Sequence, residues 1–566
     1  MKAFAKTGIL LLLILTTVLA TTASAGWKPE VVIGPGLDSG RTPYHQDWHR
    51  TLSADTLYVL TGLYYVDSLA SVTIEPGTVV VADTAATLII ARGADIHAVG
   101  EPQRPIVFTS LKDPGEREPG DWGGVIILGE APINKVEPLI EGGIIGGTYG
   151  GNDPHDSSGE FAYVRIEYPG YRFAMDNEVN GLTMGGVGDG TEIHHVQISY
   201  SFDDSYEWFG GTVDGDYLVV MGGTDDVFDT DYGHAGKHQF CFAVRDMNYW
   251  DPTGQSNGFE SDNDGTGSND VPYTEPIFSN VTIVGPERTD ALVGTIPPGH
   301  SYQFSGVIRR ASKHKIFNSC ITGFPWGFSV RDAQTQTWAL TDEMKIRNTS
   351  ITASLLEPGS SSVHQEDKWA GVTAWFDTPA YANYGSQPRN PSAVGLTDMS
   401  DLNDPNPVPA IGSELIGSAD FTDPDLMGFE VVTYRGAFDP ELPMEEQWTA
   451  GWTNFDPQNT DYRADAVGVE NEVAFKGLSQ NYPNPFNPVT KIAYSIRQAG
   501  PVEITVHNTA GKVVRTLLSD ELETGATGFV VWDGTDSAGD KCASGVYFYS
   551  ITAPDFSETH KMVMLK

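Results

Sequence analysis

The densest chemistry in this 566-residue chain lies between residues 200 and 270. Asp203-Asp204-Ser-Tyr-Glu207 and Asp225-Asp226-Val-Phe-Asp229 repeat one pattern at an offset of 22 residues, with Asp231 two positions further on. Phe259-Glu-Ser-Asp-Asn-Asp-Gly265 reads as a third copy and adds Glu260, Asp262 and Asp264. If successive copies stack as neighbouring strands about 4.8 Å apart, Asp203 lies beside Asp225, Asp204 beside Asp226 and Glu207 beside Asp229. That many carboxylates cannot all stay ionised unless a cation neutralises them or some take up protons. All ten are candidate metal ligands, and calcium is the expected ion, because it takes several oxygen donors from carboxylates and carbonyls. Asp262-Asn-Asp-Gly265 has the alternating oxygen donors and turn glycine of calcium loops, without the full EF-hand pattern.

Two other readings stay open for the same residues. Paired carboxylates can perform glycoside hydrolysis, one as acid and one as base or nucleophile. Alternatively, the acids are solvated turn residues that cap strands and keep sheet edges from pairing with other chains. Trp208, Tyr232 and Trp250 lie close by in sequence and are candidates to stack on a sugar ring. Rings in a β protein also serve simply as packing. His194, His195, His234 and His238 show no spacing that commits them to a metal.

Composition narrows the partners. Lys and Arg number 34 against 75 Asp and Glu, a net charge of −41, so nucleic acid and anionic membrane surfaces would be repelled. With 62 Gly, 35 Pro and 11% aromatics, the chain reads as a turn-rich β protein, since a disordered acidic chain would be poor in rings. Cys241, Cys320 and Cys542 are odd in number and far apart, which gives no disulfide framework or zinc site. There is no Gly-x-Ser-x-Gly elbow, phosphate-binding glycine loop, His-Glu-x-x-His or dinucleotide fingerprint, so those hydrolase and nucleotide classes are disfavoured.

The elements that must position the acids are short strands. Val72-Thr-Ile-Glu-Pro-Gly-Thr-Val-Val80, Leu88-Ile-Ile90 and Pro105-Ile-Val-Phe-Thr-Ser110 are each one strand long between turn residues. Ala162-Tyr-Val-Arg-Ile166, His195-Val-Gln-Ile-Ser199, Asn280-Val-Thr-Ile-Val284, Asn318-Ser-Cys-Ile321 and Asn348-Thr-Ser-Ile351 look like imperfect copies of one unit, as in a solenoid. Residues 55–360 resemble right-handed parallel β-helix proteins of the pectate-lyase-like class, in which Asn280, Asn318 and Asn348 would stack at a corner. A β-sandwich or jelly roll is the rival fold. Polygalacturonase-like β-helix enzymes use adjacent aspartates, a Gly-His-Gly element and a basic run. The resemblance implies Asp225, Asp226, His234 and Arg309 as catalytic candidates, with Arg310 or Arg245 as further arginines for a lyase. The asparagine-threonine-aspartate element of that family is missing, and His234 follows Asp226 by only eight residues.

The two ends speak of export. Lys2 and Lys6, the apolar run from Ile9 to Leu19 and Ala23-Ser-Ala25 form a signal peptide over residues 1–25. At the other end stand Asn481-Tyr-Pro-Asn-Pro-Phe-Asn-Pro-Val-Thr490, Gly511-Lys-Val-Val514, Trp532-Asp-Gly534 and Gly545-Val-Tyr-Phe-Tyr549. These resemble the C-terminal sorting domain of type IX secretion substrates and the related FlgD-like immunoglobulin-type module. The resemblance implies a partner in type IX-like secretion machinery and a destination outside a two-membrane bacterium, secreted or on the cell surface, with no transmembrane segment in the mature chain. Stretches such as Asn177-Glu-Val-Asn-Gly-Leu182, Trp208-Phe-Gly-Gly211 and Trp448-Thr-Ala-Gly-Trp452 are similar to secreted proteins with such tails.

The expected layout is an all-β chain. A signal peptide (1–25) precedes an N-terminal extension or cap (26–54) and a parallel β-helix (55–360). An end cap with long loops (361–458), a linker (459–477) and an Ig-like sandwich (478–566) follow. The expected function is a secreted or cell-surface protein, calcium-stabilised, that binds a glycan or another surface ligand. A polysaccharide lyase or hydrolase is the alternative, and a purely structural surface role is the third.

Overall fold

The computed structural model describes residues 28–35, 44–354, 369–385, 390–463, 477–478 and 481–565, apart from 137, 143, 145, 175, 176, 482, 483, 485, 487, 497, 523–526 and 555. The expected signal peptide and most of the expected linker lie outside the described residues. The chain divides into two units, residues 1–466 and 467–566.

In the first unit, short strands with apolar residues on both faces wind into a coil of parallel ladders. Leu57–Leu60 pairs with Val79–Ala82, which pairs with Ile106–Ser110. A second ladder runs through Leu63–Val66, Thr87–Ile90, Gly124–Leu128, Leu182–Val187, Tyr206–Gly211, Phe228–Asp231, Phe259–Ser261 and Phe304–Ile308. A third begins with His49–Leu52, Ser71–Ile74 and Asp95–Val99. Runs such as Val79–Ala82 are buried throughout because both faces are covered. Tyr58, Leu60, Val80 and Ala82 line the lumen, while Leu57, Val59, Val79 and Val81 pack outside beneath Tyr462. Residues 26–54, expected as an extension or cap, already contribute Glu30–Ile33, Tyr44–Gln46 and His49–Leu52 to these ladders.

One corner of the coil is a column of left-handed residues. Tyr163, His195, Tyr217, Phe240, Asn280, Asn318 and Asn348 all have φ between 48° and 59° and stack rung on rung. Asparagine accepts this conformation readily, and the three asparagines hold the corner as expected. In earlier rungs aromatic rings take its place and stack at 4.3, 4.4 and 5.3 Å, packing that offsets the backbone cost.

The segment expected to cap the last rung divides into two. The helix Val372–Phe376 does close the coil, placing Trp375 and Phe376 in the lumen cluster. Residues 390–463 instead run back along the outside as a strap. Three amide side chains each grip one strap residue's backbone through both donor and acceptor: Asn318 holds Asp420, Gln239 holds Glu430 and Gln197 holds Asn454. The strap therefore reaches earlier rungs as its own numbering rises, and it ends with Tyr462 donating to buried Glu167. Such a path satisfies backbone groups that an extended chain would otherwise leave bare against an apolar face.

The second unit is antiparallel. Val513–Leu522, Gly500–Asn508, Gly545–Thr552 and Ser557–Met564 form one sheet, and Gly477–Leu478, Thr490–Ser495 and Thr527–Trp532 form another. Trp532, Tyr549, Ile504 and Met562 lie in their shared core.

Candidate functional site

Strand alternation sorts the residues at 203–264 into two environments. In Tyr206–Gly211 and Phe228–Asp231, the side chains of Tyr206, Trp208 and Phe228 enter the lumen cluster. Glu207 and Asp229, one residue away, must therefore face outward. The register pairs Glu207 with Asp229, as the 22-residue offset predicted, and it also pairs Asp229 with Glu260. Between His45 and Ser329 the outward row reads Tyr65, Ile89, Ile126, Thr183, Glu207, Asp229, Glu260 and Val307. Its three acids stand together, with Tyr65, Ile89 and Ile126 on the earlier rungs and Val307 on the next one.

The turns before these strands carry a second row. The Asp226 N–H donates to Asp204 Oδ1 at 2.8 Å, the Asn257 N–H donates to Asp226 Oδ1, and the Phe304 N–H donates to Asn257 Oδ1 at 3.1 Å. Each Asx side chain thus caps the backbone of the next rung. Asn180 occupies the equivalent place one rung earlier, and its amide donates to Glu141 at 3.1 Å and to Glu207. Sequence reading missed Glu141 and Asn180. The repeat Asn180-Gly-Leu182, Asp204-Ser-Tyr206, Asp226-Val-Phe228, Asn257-Gly-Phe259 contained the signal for Asn180. Glu141 arrives on a covering loop at no fixed spacing.

Charge in this row is poorly balanced. Burial, reinforced by neighbouring carboxylates, pushes Asp203, Asp204, Glu207, Asp225, Asp226, Asp229 and Asp231 well above the usual carboxylate range. Basic residues pair only with the flanks. Arg309 binds Glu260 and Asp262, Arg310 binds Asp262 at 2.6 Å, and Arg172 binds Glu178. Among the described residues, no Lys or Arg forms an ion pair with the seven central acids. One carboxylate oxygen from each of Asp203, Asp204 and Asp225 lies within 4.8 Å of the others. The same holds for Asp204, Glu207 and Asp229, and Asp229 Oδ1 is buried without a hydrogen-bond partner. An all-oxygen donor set of this kind fits a hard divalent cation, calcium before zinc.

Several expected residues stand elsewhere. Asp264 turns back on its own loop, accepting from Thr266 and Ser268, with Lys135 at 3.8 Å. Glu260 and Asp262 are claimed by the arginines. Trp208 is 1% exposed in the lumen, where no sugar can reach it. His234 is also inside, stacked on Trp208 at 5.4 Å with Nε2 2.9 Å from that of His238, so it does not join the acids as a catalytic group. Burial pushes His234 down to about 3, leaving it neutral. Arg309 is held charged by Glu260 and Asp262, although burial opposes this, so it cannot serve as a base. Tyr232 is half-buried, stacked on Phe209 at 5.7 Å beneath Lys135, and Trp250 packs half-buried against the lumen cluster.

Comparison with known proteins adds a family and two fragments. The family described as "Pectate-lyase like beta helix domain" matches residues 44–387, and the FlgD Ig-like domain matches residues 490–555. None of the curated proteins matches the chain. Among solved structures, dimeric latent PorU from Porphyromonas gingivalis aligns at 20% identity and TM-score 0.13, over 15% of this chain and 9% of that one. PorZ, an essential bacterial surface component of the type-IX secretion system of the same organism, aligns at 23% identity and TM-score 0.14, over 18% and 13%. Among the described residues, no helix is long and apolar enough to cross a membrane.

Proposed function

This chain belongs to the pectate-lyase-like β-helix family, and from that premise we propose that it is an exported surface protein whose outward acid row holds calcium and acts as a binding module. The observation that carries this reading is the group Asp203, Asp204, Glu207, Asp225 and Asp229, stacked across neighbouring rungs with no basic ion-pair partner among the described residues. Calcium bound there would leave coordination positions for a partner rich in carboxylates or hydroxyls, and an acidic polysaccharide meets that description. A polysaccharide-cleaving enzyme is the weaker reading, because His234 lies in the lumen and Arg309 is locked in ion pairs. Export rests on the signal-peptide pattern and on the sorting-domain resemblance of the FlgD Ig-like segment.

The first test is thermal melting of the full chain with calcium and with chelator. Calcium should raise the Tm by several degrees, and Asp203→Asn/Asp225→Asn/Asp229→Asn should remove the response. Equal melting temperatures in both conditions would sink the calcium reading. Removing residues 478–566 should stop the protein reaching the outer surface of its host; unchanged surface display would remove the export reading.

A further inference from the structure

We propose a second metal site, at Glu160, Glu192 and His194, that takes a borderline transition ion such as zinc in place of calcium. The ladder between Gly159–Glu167 and Glu192–Ser199 pairs Glu160 with Glu192 and Ala162 with His194. Positions 192 and 194 are two apart on one strand and share a face, which brings all three side chains together. One His194 nitrogen and one oxygen from each carboxylate lie within 4.8 Å of one another. Modest side-chain movement would bring all three to the roughly 2.0–2.2 Å of zinc–nitrogen and zinc–oxygen bonds.

Two further observations favour an ion. Stacking Glu160 directly over Glu192 sets like charges opposite each other across a ladder, which destabilises unless something neutralises them. Neither carboxylate has a hydrogen bond or ion pair among the described residues. The second observation is the support behind the imidazole. His194 Nδ1 lies 3.0 Å from His195 Nδ1. His195 is itself clamped between Tyr163 and Tyr217 at 4.3 and 4.4 Å. In the tautomer in which His194 Nδ1–H donates to His195, Nε2 keeps its lone pair and the ring is held in place, the service that a second hydrogen bond gives a metal-binding histidine. The imidazole distinguishes this site from the acid row, because nitrogen donors select zinc and cobalt over calcium. Glu192 is exposed, so an ion has access, and three protein ligands leave a fourth position open.

Cobalt(II) titration of the full chain in excess calcium tests the site through its visible absorption, with zinc displacement as confirmation. One equivalent should bind. Both His194→Ala and the exposed change Glu192→Gln should weaken it by about tenfold or more, while Glu207→Gln leaves it unchanged. The proposal is overturned if the wild-type chain shows no cobalt band, or if binding survives both substitutions and so belongs to other exposed groups.

Discussion

Trp208 and Glu207 are neighbours in sequence and face opposite ways. On the inner side of this strand, His234, His238 and His314 are fully buried among Trp208, Phe259 and Phe278. On the outer side Glu207 joins a row of carboxylates. Both sets are titratable, the histidines fully and the acids partly withdrawn from water, and burial acts on each in the direction that disfavours charge. The inner bases go down and the outer acids go up. The histidines become neutral packing units of an aromatic stack. The acids, crowded by their own kind, remain the place where a cation or a proton is needed. Burial alone therefore does not make a site; unresolved like charge within reach of solvent does.

The largest test of this contrast replaces the two neighbours in turn. Trp208→Ala should cost about 3–5 kcal/mol in denaturant unfolding, the scale of a large buried ring. Glu207→Gln should cost no stability in chelator while weakening the calcium response. A calcium-specific loss in Trp208→Ala, or a large general loss in Glu207→Gln, would break the division.

The pH dependence should separate the two faces next. The histidines have folded values lowered from 6.5, to about 3 for His234 and His314, so their contribution rises with pH across that interval and is lost on acidification. The acids have folded values raised above 3.8 or 4.5, so their contribution is full below those values and is lost as pH rises through the raised ones. In chelator, Tm should pass through a maximum in mildly acidic solution. Calcium should abolish the fall toward neutral pH, and Asp203→Asn/Asp225→Asn/Asp229→Asn should make that fall smaller in chelator while leaving the histidine-driven rise in place.

The strap gives an intermediate effect. Gln239→Ala leaves both backbone groups of Glu430 without their partner and should cost about 1–3 kcal/mol, with faster proteolysis within residues 390–463. A small effect is expected for Asp226→Asn. Asparagine keeps the Oδ1 that accepts the Asn257 N–H, and Asn257 does the same task one rung on. A change under about 1 kcal/mol is expected in chelator, against a larger loss for Asp226→Ala. Equal losses in both would show that charge, not the acceptor, is what that corner needs.

Periodicity carried much of this architecture. The 22-residue offset placed Glu207 beside Asp229, and the spacings of 38 and 30 residues placed Asn280, Asn318 and Asn348 on one corner, because a stacked coil converts sequence offset directly into neighbourhood. What repeats did not reveal was identity of face where the rule was broken: Tyr163, His195 and Tyr217 hold the same left-handed corner without resembling asparagine.

The amino-acid sequence by itself determined the β class, the stacking unit and the acidic composition of the row, since each is a local pattern of residue type and spacing. Only the tertiary structure decided which of those residues share a site. Trp208 and His234 went to the lumen, Arg309 to Glu260 and Asp262, and Glu141 into the row, because alternation, loop path and competition among charges depend on contacts between residues far apart in the chain.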